Sequence, residues 1–178
     1  MIKESGIQLP QLDLEAPDLP FGLGSGAGTI YGTTGGVAEA VVRHCMPDKS
    51  RNTLRALEYS PLRGNESIRE ATIPVGDREI KLAVVHGLIN AQKLLKEIDE
   101  GTAYYDLIEV MTCPNGCVGG AGQPYGLKAK KQARSAGLYA TDRSAPFKRA
   151  EYNPGVTSIL QKLTHEQRHE LLHVSYQK

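Results

Sequence analysis

Two cysteines stand four positions apart in the stretch Glu109-Val110-Met111-Thr112-Cys113-Pro114-Asn115-Gly116-Cys117-Val118-Gly119-Gly120-Ala121-Gly122-Gln123-Pro124. Thiolates bind zinc, iron and iron–sulfide centres, and two thiols at this separation in a glycine-rich turn can face one centre. Glycine leaves backbone N–H groups free to approach an anion, and a thiolate-bound iron–sulfide cluster carries net negative charge that such donors stabilise. The four-residue step differs from the Cys-x-x-Cys of redox dithiols and most zinc ribbons, which turns the reading away from both. A structural zinc, or a glycine turn with no metal, is the alternative.

The other chemistry-bearing residues have plainer readings. Cys45 is the third cysteine, an odd count that cannot close a disulfide framework; free cysteine is among the most buried residue types, so Cys45 is expected in the core. His165, His169 and His173 recur at helical spacing, but they lie too far from the cysteines for a zinc finger and read as the solvated edge of a terminal helix. The run Gly26-Ala27-Gly28-Thr29-Ile30-Tyr31-Gly32 resembles a dinucleotide fingerprint, yet its last glycine comes one position late and no strand precedes it. His86 is expected as a hydrogen-bonded structural histidine. Glu109, at a strand end, is expected to accept backbone bonds near the cysteine loop in place of moving protons.

These residues need a scaffold, and the chain is long enough to supply one. It has 178 residues, 40% of them hydrophobic, and a domain of this size buries about 70% of its unfolded surface without disulfides. With 21 Lys+Arg against 20 Asp+Glu there is no basic excess to meet nucleic acid or an acidic membrane. The longest apolar runs, such as Leu82–Val85, fall far short of the roughly 20 residues a membrane span needs. No secretory signal is visible at Met1–Gly6, so a soluble protein of the reducing cytoplasm is the expectation.

Twelve of the nineteen glycines fall within 22–36 and 116–126, each cluster flanked by apolar patterns that make it structured and not a linker. Met1–Gly6 reads as the last turn of a helix with a glycine cap, so that the chain begins inside a larger fold. Residues 7–24, with Pro10, Pro17, Pro20 and three acids, read as extended surface chain. Gly35-Gly36 open a helix whose apolar positions are Val37, Ala40, Val41 and Cys45 and which Met46-Pro47-Asp48 ends. After a polar interval with Arg51, Arg55 and Arg63, the stretch Ala71–Pro74, the turn Gly76-Asp77 and Ile80–Val85 form a hairpin. A helix presenting Leu88, Ala91, Leu94, Leu95 and Ile98 follows and stops at Gly101. Asp106–Met111 is then a strand running into Cys113. Strand, helix, strand predicts a parallel pair with the cysteine loop at its carboxyl end, where open α/β sheets bind ligands. Three helical segments close the chain, Leu127–Tyr139, Val156–Leu163 and Thr164–Val174, the last with a Thr164-x-x-Gln167 capping box.

The cysteine stretch resembles the third signature motif of the iron-only ([FeFe]) hydrogenases through Glu109, Met111, Cys113, Gly116, Cys117, Gly119, Gly120, Gly122, Gln123 and Pro124. Thr112 and Ala121 depart from it by small substitutions. Ser25–Val37 is similar to the family's glycine-rich segment, with Tyr31 where Phe is usual and Ala38 where Met is common, and Val84–Ala91 matches its strand-to-helix step. Arg134, Leu138, Tyr139, Asp142, Asn153-Pro154, Leu171-Leu172-His173 and Tyr176 look like its small-subunit domain. Within that domain Ala150-Glu151-Tyr152 and Val174 depart from the usual residues.

The resemblance implies an α/β fold: one lobe of the iron-only hydrogenase catalytic domain, a short, mostly parallel sheet flanked by helices, with a helical C-terminal tail. It divides the chain into 1–126, of large-subunit type, and 127–178, of small-subunit type. It implies reversible reduction of protons to H2 at an H-cluster, a [4Fe–4S] cubane joined to a di-iron unit carrying CO, cyanide and a dithiolate. Cys113 would ligate the cubane, Cys117 would ligate it and bridge to the di-iron unit, Met111 would pack beside that unit, and Tyr31 and Val37 would line the cavity. Electrons would come from ferredoxin or an accessory subunit. A cubane takes about four thiolates, and the family's first two motifs, which bring the others, have no counterpart here. The chain is therefore expected to hold half a site and to be inactive alone, whether it is one subunit of a split enzyme, a piece of a longer one or a degenerate relative. The alternative function is a non-catalytic iron–sulfur or sensory module on the same scaffold.

Overall fold

Branched and apolar residues alternating around a Gly-Asp turn form the hairpin that the sequence suggests. In the computed structural model, which describes residues 1–16, 18–19, 22, 24–48, 50–58 and 60–174, strands β1 (Ile68–Val75) and β2 (Arg78–His86) pair antiparallel from Ile68↔Val85 to Val75↔Arg78. Helix α4 (Leu88–Asp99) crosses over to β3 (Leu107–Met111), which pairs parallel to β2 from Leu82↔Leu107 to His86↔Met111. The sheet order is β1-β2-β3. The α/β architecture is as expected, but the sheet is mixed and not mostly parallel: the hairpin contributes the longer ladder, and the βαβ unit adds one parallel pair.

Helices α1 (Gly26–Ile30), α2 (Gly36–Cys45) and α3 (Arg51–Glu58) precede the sheet; α5 (Lys128–Ser144), α6 (Pro154–Leu160) and α7 (His165–Leu172) follow it. Ala38, Val42 and Met46 from α2 and its end, with Leu57 and Leu62, bury one face of the sheet at Ala71, Ile73, Leu82 and Val84. Ala91 and Leu94 of α4 cover Ala83 and Val85 on the other. The capping box at Thr164 and Gln167 is present. Gly6, at φ 67°, closes the first turn with its N–H to Lys3 O and that of Ile7 to Ile2 O, the bonding of a glycine-capped helix end. Tyr176 lies outside the described residues.

Helix α2 differs from its sequence pattern. Its buried side is Ala38, Glu39, Ala40, Val42 and Arg43, whereas Val41 and Cys45 are exposed, so Cys45 is not a core residue. The apolar stripe misleads because the helix buries charge. Arg43 donates to both oxygens of Asp142 at 2.8 and 2.7 Å and to Glu39 at 2.6 Å, and Arg63 grips Glu39 at 2.8 and 2.7 Å while stacking on the Tyr139 ring. Burial opposes the charged form of Arg43, yet Asp142 and Glu39 hold its pKa above the ordinary value. On α4 the same kind of difference is smaller: Ala91 and Leu94 are buried, and Leu88 and Leu95 face outward.

Gly36 is required where α1 meets α2, since a Cβ there would stand 1.7 Å from the Ile30 carbonyl oxygen. Helix α5 packs against α1, and the segment that follows it binds the start of α1, where Gly26 N–H donates to Phe147 O and Ala27 N–H to Lys148 O. Removing one partner of a buried charge cluster leaves the other uncompensated. Asp142→Ala is therefore expected to destabilise the chain by about 3–5 kcal/mol, read as a lower denaturation midpoint with the same slope.

Candidate functional site

The site is built where β3 ends. Gly87 N–H holds the Met111 carbonyl at 2.8 Å, and beyond it Cys113–Gly116 close a turn through Gly116 N–H to Cys113 O at 3.0 Å. Pro114 in its second place and Asn115 at φ 68° in its third are the residues a type II turn favours. Gly116 follows at φ 84°; a Cβ on it would lie 2.8 Å from Thr34 N and 2.9 Å from Met111 Sδ, so the loop reaches this depth only with glycine. A single 3-10 turn, Cys117–Gly119, then turns the chain outward. Both cysteines are free, Cys113 partly buried and Cys117 exposed.

Three other segments brace the loop. Thr34 N–H donates to Asn115 O at 3.1 Å and Gly32 O accepts from Val118 N–H at 3.0 Å, joining it to the glycine-rich segment around α1 and α2. Asn115 Nδ2 donates to Asn65 Oδ1 at 2.7 Å. From α5, Arg134 donates to Val118 O at 2.9 Å and Pro124 O at 2.7 Å, bracketing the loop with one guanidinium. The Pro-Asn-Gly turn was legible from residue types; the Arg134 clamp and the Asn65 contact carry no sequence signal, because each joins residues from separate elements.

Glu109 is 6% exposed and is a structural acceptor, as expected. Its Oε1 accepts from Gly35 N–H at 2.6 Å and its Oε2 from Ala38 N–H at 2.7 Å. It thus caps the N-terminus of α2, where orphan donors and the helix dipole favour a negative group. His86, at the end of β2 opposite Met111, is buried, with backbone bonds at Asn65 and Glu66. Its Nε2 is buried with no partner among the described residues. Burial first, and Arg69 second, push its pKa below the usual histidine value.

Of the other candidates, Met111 places its sulfur against the position of Gly116. Tyr31, 48% exposed, caps α1 beside Gly32, and Val37 lies in the first turn of α2 between the two residues that bind Glu109. All three are therefore on elements tied to the cysteine loop. The expected convergence of loop N–H groups on an anion is reduced: those of Gly116, Val118, Gly119, Gly120 and Gln123 are spent on backbone carbonyls. The glycines serve tight folding first. Among the described residues no group of three or more His, Cys, Asp or Glu is placed to hold a metal ion, and the His169 and His173 rings meet each other at 4.7 Å.

The family model described as "Iron only hydrogenase large subunit, C-terminal domain" matches residues 1–121, and that described as "Iron hydrogenase small subunit" matches residues 128–178. The chain belongs to the iron-only hydrogenase family. It is 37% identical over 184 residues to the NADP-reducing hydrogenase subunit HndD of Solidesulfovibrio fructosivorans, covering 100% of this chain and 31% of that protein. It is also 31% identical over 190 residues to cytosolic iron-sulfur assembly component 3 of Mus musculus, covering 99% of this chain and 38% of that one. A solved [FeFe]-hydrogenase from Chlamydomonas reinhardtii matches with a TM-score of 0.71 and 34% identity, over 98% of this chain and 52% of that one. The chain thus spans about a third to a half of the length of these hydrogenase-family relatives.

The residues present fit part of an iron–sulfide group. The two free thiols flank a turn, and Gly120 beyond it leaves room at the sulfur, since a Cβ there would stand 3.3 Å from Cys113 Sγ. Two thiols would be half of the roughly four thiolates a cubane takes.

Two outcomes follow from Glu109 and His86. Glu109→Ala strands buried donors at Gly35 and Ala38, and is expected to cost roughly 1–3 kcal/mol for each, measured by denaturant unfolding. Because the folded pKa of His86 is depressed, its stabilising contribution is complete above the unfolded value of about 6.5 and is lost as pH falls through the folded pKa. The stability difference between wild type and His86→Gln should shrink on acidification; a constant difference would contradict the assignment.

Proposed function

We propose that the chain is the C-terminal portion of an [FeFe]-hydrogenase, 1–126 being the large-subunit lobe and 127–178 the small-subunit-type segment, and that Cys113 and Cys117 are two of the four cysteine ligands of the H-cluster cubane. The observation that carries this is the pair of free thiols on a braced glycine turn at the carboxyl end of β3. When bound, the [4Fe–4S] cluster and its di-iron CO, cyanide and dithiolate unit supply reversible exchange of electrons and protons with H2. Cys117 would hold both the cubane and the di-iron unit, and Cys113 would hold the cubane only. Met111, Tyr31 and Val37 form apolar wall and keep water from the centre, Tyr31 with its hydroxyl at the rim. Glu109 and Arg134 hold the turn so that both thiols keep their orientation.

The remaining thiolates come from the rest of the hydrogenase, as a separate subunit or a further segment, and electrons from ferredoxin or an accessory subunit. By itself the chain is inactive. A reducing cytoplasm suits its three free cysteines, and no helix among the described residues is long and apolar enough to cross a membrane. The similarity to cytosolic iron-sulfur assembly component 3 favours a second reading, a non-catalytic iron–sulfur module on the same scaffold.

The test is anaerobic loading with iron and sulfide, followed by a synthetic di-iron complex carrying CO, cyanide and a bridging dithiolate, alone and with the polypeptide bearing the other motifs. H2 evolution and infrared bands of metal-bound CO and cyanide are expected only in the assembled protein. Strong H2 evolution by the chain alone would overturn the half-site reading, and a fully assembled complex without the infrared bands would select the non-catalytic module. Cys117→Ala should abolish retention of the di-iron unit; H2 turnover by that variant would refute its bridging role.

A further inference from the structure

Arg69 is a buried charge without an ion pair among the described residues. It is 7% exposed; Nη1 donates to Glu66 O at 2.7 Å, and Nη2 to Leu62 O at 3.2 Å and to Thr34 Oγ1 at 3.3 Å. Its Nε is buried with no partner among the described residues. The other deeply placed arginines each meet a carboxylate: Arg43 meets Glu39 at 2.6 Å, Arg63 meets Glu39 at 2.7 Å and Arg149 meets Glu151 at 3.6 Å. Arg43 and Arg63 have raised pKa values, with burial outweighed by their acids. Arg69 goes the other way: burial is its largest influence and pulls it down, against opposing effects of Tyr139, Glu109 and Glu66. Glu109 acts on it only at a distance, since both its oxygens are bonded to the N-terminus of α2 and not to the guanidinium.

Hydrogen bonds to carbonyls do not repay the removal of a full charge from water, so buried cations are ordinarily matched by anions. The place where an anion would sit is one residue away. Thr34, which accepts from Arg69, donates its own N–H to Asn115 O in the cysteine loop. The same nitrogen is the nearest atom to the Cβ position of Gly116, the neighbour of Cys117. Arg69 therefore stands behind Thr34, which itself binds the turn that carries both thiols.

We propose that Arg69 is the fixed counter-charge of an anionic iron–sulfur cluster on Cys113 and Cys117, setting the cluster's reduction potential through Thr34 without touching it. The inference rests on the cluster reading above. Reduction adds a negative charge to the cluster, and a permanent cation in a poorly screened interior favours the reduced form, which raises the potential. Arg69 is a positioning residue in this role. Arginine suits it because its charge survives burial, whereas a buried lysine gives up its proton.

The experiment uses the full chain loaded anaerobically with iron and sulfide, with excess 2-mercaptoethanol to fill the remaining coordination positions, and follows the cluster by electron paramagnetic resonance during a redox titration. Arg69→Gln should load the same amount of cluster and show a lower midpoint potential than wild type. Arg69→Lys should match wild type at low pH and fall toward the Gln variant as pH rises. Equal midpoints for wild type and Arg69→Gln at equal loading would overturn the proposal and leave the cluster reading intact. If the Gln variant does not fold, Arg69→Met takes its place, and a midpoint equal to that of wild type at equal loading overturns the proposal. Failure of wild type to load any cluster would instead overturn the cluster reading, and this inference with it.

Discussion

The Glu109 carboxylate joins the strand that presents the thiols to the helix packed beneath the sheet. Without it, the first donors of α2 would be buried with no acceptor, because the glycine at its N-cap has no side chain to supply one. With it, two charge-assisted bonds in a site closed to water fix the angle between β3 and α2. Other bonds depend on that angle. Thr34 and Gly32 lie just before α2, and they reach Asn115 and Val118 only because the strand end and the helix start are held together. The cysteine loop is therefore shaped by the polypeptide before any ligand arrives, so little ordering entropy remains to oppose binding.

The C-terminal segment contributes to the same end from outside. Arg134 brackets the loop, and Asp142 on the same helix completes the cluster of Glu39, Arg43 and Arg63. A buried cluster of this kind gives little net stability over apolar packing, but it tolerates no missing partner. It sets the rotation of α2, turning Glu39 and Arg43 inward and leaving Cys45 at the surface. Helix α5 is thus structurally part of the cysteine site although it carries no cysteine.

Membership of the iron-only hydrogenase family accounts for the scaffold, and the scaffold serves more than one kind of relative: hydrogenases and a cytosolic iron–sulfur assembly component match nearly the whole chain. A shared fold does not fix a shared reaction. What would distinguish the possibilities physically is the environment of the thiols: what else could ligate a metal bound there, how dry the cavity around them is, and what charge lies behind the turn.

The sequence by itself determined the local features. Thiol spacing, the Pro-Asn-Gly turn, the Gly-Asp hairpin, the βαβ order and the Thr164 capping box are each written in neighbouring residues, because turn chemistry and apolar period act over a few positions. The motif around Cys113 and Cys117 was legible for the same reason. Only the tertiary structure decided which way α2 faces, that Cys45 is exposed, and that the loop's amides are largely spent on itself. Those outcomes come from long-range pairs such as Arg43 with Asp142 and Glu109 with Gly35. Buried charge defeats a reading based on apolar period, since a charged residue satisfied by a distant partner looks in sequence like a solvated one.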